Sequence, residues 1–88
     1  MTLTANQTAA MTALIKSCLD NMCGETLADL QGDPYTWVKA IDLVEAGWGQ
    51  KEAEGTFGSL VAAGLVVDDL NNGFYLDEDW EELAKYHA

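Results

Sequence analysis

Met11, Leu14, Ile15, Cys18, Leu19 and Met22 recur at alternating intervals of three and one, the stripe that one face of an α-helix presents. Thr4 followed three residues later by Gln7 has the form of a capping box. Together they predict a helix over residues 5–22, with Gly24 as its stop. Residues 25–32, ETLADLQG, leave two options open, a short helical turn or an irregular link that buries Leu27 and Leu30. Asp33-Pro34 reads as a new helix start, with the acid as cap and the proline at the first helical position. Trp37, Ile41 and Val44, flanked by Val38 and Ala40, supply an apolar stripe for a second helix over 34–46. Gly47-Trp48-Gly49 breaks the chain, with Trp48 expected to fold back onto the core. A third helix over 50–63 follows, with Ala53, Phe57, Leu60 and Val61 inward and Gly64 at its end.

Beyond Gly64 the pattern changes period. Leu65-Val66-Val67 has strand character, Asn71-Asn72-Gly73 is a hairpin-turn signal, and Phe74-Tyr75-Leu76 returns as the partner strand. Asp77 and Glu78 can open a last helix with Trp80, Leu83 and Ala84 toward the body. The expected architecture is mainly α with a small β-hairpin, in one domain spanning residues 1–88. Trp37 and Trp80 are assigned to the core, since large aromatics dominate small cores.

Charge complicates this picture. The chain has 15 acidic residues against four lysines, with no arginine, for a formal net charge of −11. Such a surface repels nucleic-acid backbones and anionic membranes and attracts basic protein surfaces. Solubility or adaptation to high salt would produce the same acidity, so composition alone leaves both readings open. No apolar run approaches the roughly 20 residues of a membrane span. The first residues, MTLTANQTAAMTAL, lack the basic start and apolar stretch of a signal peptide, so a cytoplasmic location is the expectation. Cys18 and Cys23 lie five apart and would point roughly 140° away from each other on one helix. Two unpaired, largely buried thiols are expected, and Cys-x4-Cys with one remote His carries no zinc signature.

The stretch Phe57-Gly58-Ser59-Leu60-Val61-Ala62-Ala63-Gly64-Leu65-Val66 resembles the winged helix-turn-helix superfamily. There an apolar-faced recognition helix ends in Gly-Leu-Val and feeds the first strand of the wing. The resemblance covers about residues 34–77, with the first helix as packing partner. It implies a helix-helix-helix-wing-helix order and says little of function, because that superfamily includes repressors, dimerisation modules and protein-binding domains. In DNA-binding members the solvent face of the third helix enters the major groove. Carried onto this chain, that face is Lys51, Glu52, Gly55, Ser59 and Ala62, flanked by Thr56 and Gly58. A groove reader wants Arg, Lys, Asn or Gln there, and this chain offers Gln50 and Lys51, then an acid, a glycine and an alanine. Around the wing, Asp68, Asp69, Asp77, Glu78 and Asp79 stand where DNA-binding relatives place basic residues. Each carboxylate beside a phosphate costs affinity, so direct nucleic-acid binding is not expected.

Gly55 and Gly58 each cost roughly 1 kcal/mol relative to Ala inside a helix. Close approach of a partner backbone would explain them, as would a kink or packing under the wing. The run Asp77-Glu78-Asp79-Trp80-Glu81-Glu82 suits a helix start on macrodipole grounds and equally suits a basic docking surface. Asp68, Asn72, Gly73 and Asp79 fall at positions 1, 5, 6 and 12 of a calcium loop, but Leu70 occupies position 3, where an oxygen ligand is required. His87 is the penultimate residue, and neither Ser17 nor Ser59 has a base visible in the sequence. No catalytic residue, cofactor or metal site is therefore expected.

These observations point to a non-catalytic protein–protein interaction domain. Its sharpest form is an acidic DNA mimic or inhibitor occupying the basic nucleic-acid-binding surface of another protein. In style, small, acidic and Arg-free, the chain resembles proteins of phages and other mobile elements, including anti-restriction and anti-CRISPR proteins. The expected partner-binding set is Lys51, Glu52, Gly55, Gly58, Ser59, Asp68, Asp69, Asp77, Glu78 and Asp79. The competing readings are a transcriptional regulator whose homodimer presents Gln50, Lys51 and Ser59 to DNA, and a structural assembly subunit.

Overall fold

The computed structural model describes residues 3–32, 36–70 and 73–86. Helix α1 runs Ala5–Met22, with the capping box in place: the Gln7 amide N–H donates to Thr4 Oγ1 (3.1 Å) and the Thr4 N–H to Gln7 Oε1 (2.9 Å). The helix ends at Met22, as the apolar stripe predicts, but Gly24 does not make the stop. Cys23 takes the left-handed conformation (φ 59°), which lets the Gly24 N–H reach the Leu19 carbonyl at 2.9 Å. Space at Gly24 is tight: a Cβ there would meet Asp29 Cβ at 3.2 Å and Leu19 Cδ2 at 3.3 Å, so those side chains would have to give by a few tenths of an ångström. The ambiguous segment resolves as helix α2, Leu27–Gly32, which buries Leu30. Asp29 shapes its entry, its carboxylate accepting from the N–H groups of Glu25 (2.9 Å) and Thr26 (3.1 Å), and these bonds hold its pKa below the usual range.

The expected helix over 34–46 is not what forms. Asp33 and Pro34 lie outside the described residues. Trp37–Val38 is a short strand, β1, and helix α3 is confined to Ala40–Glu45. Asp42 starts α3, its Oδ2 accepting from the Lys39 N–H at 2.8 Å. The physical reason is long-range pairing: Trp37 and Val38 sit opposite Tyr75 and Phe74, and the Leu76 N–H donates to the Thr36 carbonyl at 2.9 Å. Aromatic and β-branched residues suit such a half-buried pleated surface. Alternation along β1 sends Val38 inward and Trp37 outward, and in α3 the residue that turns inward is Leu43. The proposed buried stripe is thus overturned, since Trp37, Ile41 and Val44 are 43, 56 and 36% exposed.

Helix α4, Gln50–Ala62, is capped by Gly49 and buries Ala53, Phe57 and Leu60. Gly47 and Gly64, on either side of it, both have positive φ (106° and 81°), which glycine adopts without a Cβ clash. Strands β2 (Val66–Asp69) and β3 (Gly73–Leu76) form the hairpin, with Val66 opposite Leu76 and Asp69 opposite Gly73. Asn71 and Asn72 of the expected turn lie outside the described residues. The sheet is antiparallel in the order β1-β3-β2, one strand larger than the hairpin expected. Helix α5, Trp80–Ala84, is capped by Asp79 and buries Leu83, while Ala84 is exposed, contrary to expectation.

The core is built on Met11, Leu14, Ile15, Cys18 and Leu19 of α1, against Leu30, Val38, Leu43, Phe57, Leu60, Val66, Leu76 and Leu83. Trp48 and Trp80 are half-buried against it. Phe57 meets Phe74 edge-on, ring centres 5.1 Å apart, and so joins α4 to the hairpin. No helix among the described residues is long and apolar enough to cross a membrane.

Candidate functional site

The outward face of α4 carries Lys51, Glu52, Gly55 and Gly58, all exposed. Two of its polar residues, Gln50 and Ser59, are already engaged. The Gln50 amide donates to Glu54 Oε1 at 3.4 Å, and Ser59 is half-buried, its hydroxyl donating to the Thr56 carbonyl (2.7 Å) while accepting from the Gln7 amide (3.2 Å). Ser59 therefore ties α4 to α1. On α1, Thr12 Oγ1 donates to the Tyr86 carbonyl at 2.7 Å.

Gly55 and Gly58 sit in one uninterrupted helix, and a Cβ at either would meet nothing within 4 Å. Neither a kink nor packing under the hairpin explains them. Gly55→Ala and Gly58→Ala should each stabilise the domain, by about 0.5–1 kcal/mol. Urea denaturation would check this, and destabilisation by either variant would mean that the glycine conformation itself is required.

The acidic residues divide by what they do. Asp79 caps α5, its Oδ1 accepting from the Glu82 N–H at 3.2 Å. Glu82 accepts from the Tyr86 hydroxyl (2.8 Å) and pairs with Lys85 (3.0 Å); these bonds, Tyr86 first, hold its carboxyl below the usual range. Asp68, Asp77 and Glu78 are exposed on β2 and the segment leaving β3, while Asp69 is half-buried opposite Gly73. The structure thus brings Asp68, Asp69, Asp77, Glu78 and Asp79 to the hairpin and its exit, whereas Lys51, Glu52, Gly55 and Gly58 lie on α4. Among the described residues, no three His, Cys, Asp or Glu side chains gather into a metal-holding group. His87 lies outside those residues.

Cys18 is buried and Cys23 exposed, so the expectation of two largely buried thiols holds for one only. Burial, followed by the charge of Asp42, pushes the Cys18 thiol up to about 12.

Sequence reasoning missed an apolar surface. Ala40, Ile41 and Val44 of α3, with Gln50 and Glu54 of α4, enclose a shallow groove of about 170 Å³. Trp37, Val38, Lys39, Gly73 and Phe74 line a second depression of about 290 Å³. On the outer face of the sheet Trp37 packs edge-on against Tyr75, ring centres 5.6 Å apart. The aromatic and β-branched run Thr36-Trp37-Val38 was the available signal, since a strand there moves Trp37 out of the helical stripe. Comparison of the chain with protein-family models, with characterised proteins and with solved structures finds no match.

Proposed function

We propose that this is a winged-helix domain that acts by protein–protein contact, as an acidic DNA mimic or inhibitor on the basic nucleic-acid-binding surface of another protein. The fold reading is supported by α4 passing through Gly64 and Leu65 directly into the hairpin, with α1 packed against both α3 and α4. The observation that carries the functional reading is the display of Asp68, Asp77 and Glu78 as exposed residues on the hairpin and its exit. A basic groove built for phosphates would meet carboxylates there. The α4 face argues the same way, because Ser59 is turned to Gln7 and the Gln50 amide to Glu54. Catalysis has no part in this reading.

Two titrations test it. Non-specific duplex binders reach roughly 10⁻⁴–10⁻⁶ M through phosphate neutralisation. This chain, with four lysines against 15 acids, should give no gel retardation of duplex DNA at micromolar concentration and physiological salt. A Lys–Ser peptide should bind it, more weakly as salt rises, and Asp68→Lys combined with Glu78→Lys should slow association. Micromolar duplex retardation, or indifference to the Lys–Ser peptide, would overturn the reading.

A further inference from the structure

Burying Leu43 and Val38 leaves α3 and β1 with large apolar groups in water: Ile41 is 56% exposed, Trp37 43% and Val44 36%. Ile41 and Val44 line the α3–α4 groove while Trp37 lines the separate depression beside the sheet, and exposed apolar groups around a groove mark contact sites. At about 170 Å³ the α3–α4 groove is smaller than the roughly 300–1,000 Å³ of small-molecule sites. It has the size of one aliphatic side chain.

Charge selects the occupant. Glu54 is the charged residue that lines the groove itself, on a chain whose formal net charge is −11. A second copy would bring the same carboxylate and a further formal charge of −11, so self-association is opposed. We infer that the α3–α4 groove seats an apolar side chain from a basic, amphipathic segment of another protein, with Glu54 taking that segment's Lys or Arg. The mode is a helix laid in a groove, with apolar anchors giving affinity and charges setting orientation. This rests on the partner being basic, as proposed above, and assigns its main contact to α3 and the start of α4, away from the glycine face.

The test titrates ¹⁵N-labelled protein with an amphipathic Leu–Lys peptide and with the Lys–Ser peptide at equal length and charge. The Leu–Lys peptide should bind more tightly and move the amide signals of Ala40, Ile41, Val44 and Glu54. Ile41→Asp separates packing from charge by sign. It adds a negative charge, so attraction alone would tighten binding, whereas loss of the groove contact should weaken it roughly tenfold or more. Ile41→Ser should weaken it without any change in charge, and unchanged melting temperatures would show both variants folded. Tighter or unchanged binding by Ile41→Asp overturns the assignment, as do shifts confined to the hairpin and α5. If the Lys–Ser peptide binds equally well, the groove is wrong and the basic-partner reading stands. If neither peptide binds, both fall. A concentration-dependent dimer dispersed by Ile41→Asp would instead name a second copy as the occupant.

Discussion

Phe57→Ala should remove roughly 3–5 kcal/mol of stability, the usual cost of emptying a buried aromatic site. For 88 residues total stability is on the order of 4–13 kcal/mol, so the variant should be marginally folded or unfolded at 37 °C. Phe57 is 5% exposed, lies on the inner face of α4 and stacks edge-on against Phe74. Its loss should therefore loosen the contact between helix and hairpin before α1 melts. Urea denaturation with amide exchange would check this, protection falling first in β2 and β3. Val44→Ala, on the exposed side of α3, should change stability by no more than about 0.5 kcal/mol. Comparable losses from the two variants would contradict the division between inner and outer faces.

The two cysteines should differ by more than about tenfold in reactivity toward an aromatic disulfide reagent at pH 8, even after the greater nucleophilicity of a thiolate of higher pKa is allowed for. The thiolate is the nucleophile, and a rise in the Cys18 pKa from 9.0 to about 12 lowers its thiolate fraction by about three powers of ten, one per unit. Steric exclusion slows it further, because Cys18 is 0% exposed. One equivalent, Cys23, should react promptly in native buffer and the second only on unfolding. Equal rates would place Cys18 at the surface. The same shift has a consequence for stability. The folded state holds the proton that the unfolded thiol releases near pH 9, so this contribution is intact below pH 9 and is lost as pH rises toward 12. Urea melts between pH 8 and 10.5 should show stability declining, with a shallower decline in Cys18→Ala. That difference isolates the thiol, since Tyr86 and the lysines titrate in both proteins.

Where structure is local, it was legible. The Thr4–Gln7 capping box, the α1 stripe, the inner face of α4 and the two hairpin strands are all encoded within a few residues of where they act. Eighteen residues of α1 contain five turns' worth of repeated pattern, enough to fix its inward face. Six residues of α3 hold less than two turns, too few for a period to show which side is buried. The carboxylates of the hairpin and its exit were equally legible as a group, but not the engagement of Asp79 as a cap or of Ser59 by Gln7. Those contacts join groups by local backbone geometry in one case and across 52 positions in the other.

By itself the sequence determined a mainly helical chain with a β-hairpin, a strongly acidic surface and an α1-centred core. Each follows from composition or from a period repeated several times along the chain. Only the tertiary structure decided that Trp37-Val38 joins the sheet, because the hydrogen-bonding partners that make it a strand lie at Phe74 and Tyr75. Pairing there ends the extended segment at Lys39, starts α3 at Ala40 and turns Leu43 inward. Ile41 and Val44 are left facing water because a short helix buries only the side that its neighbours cover.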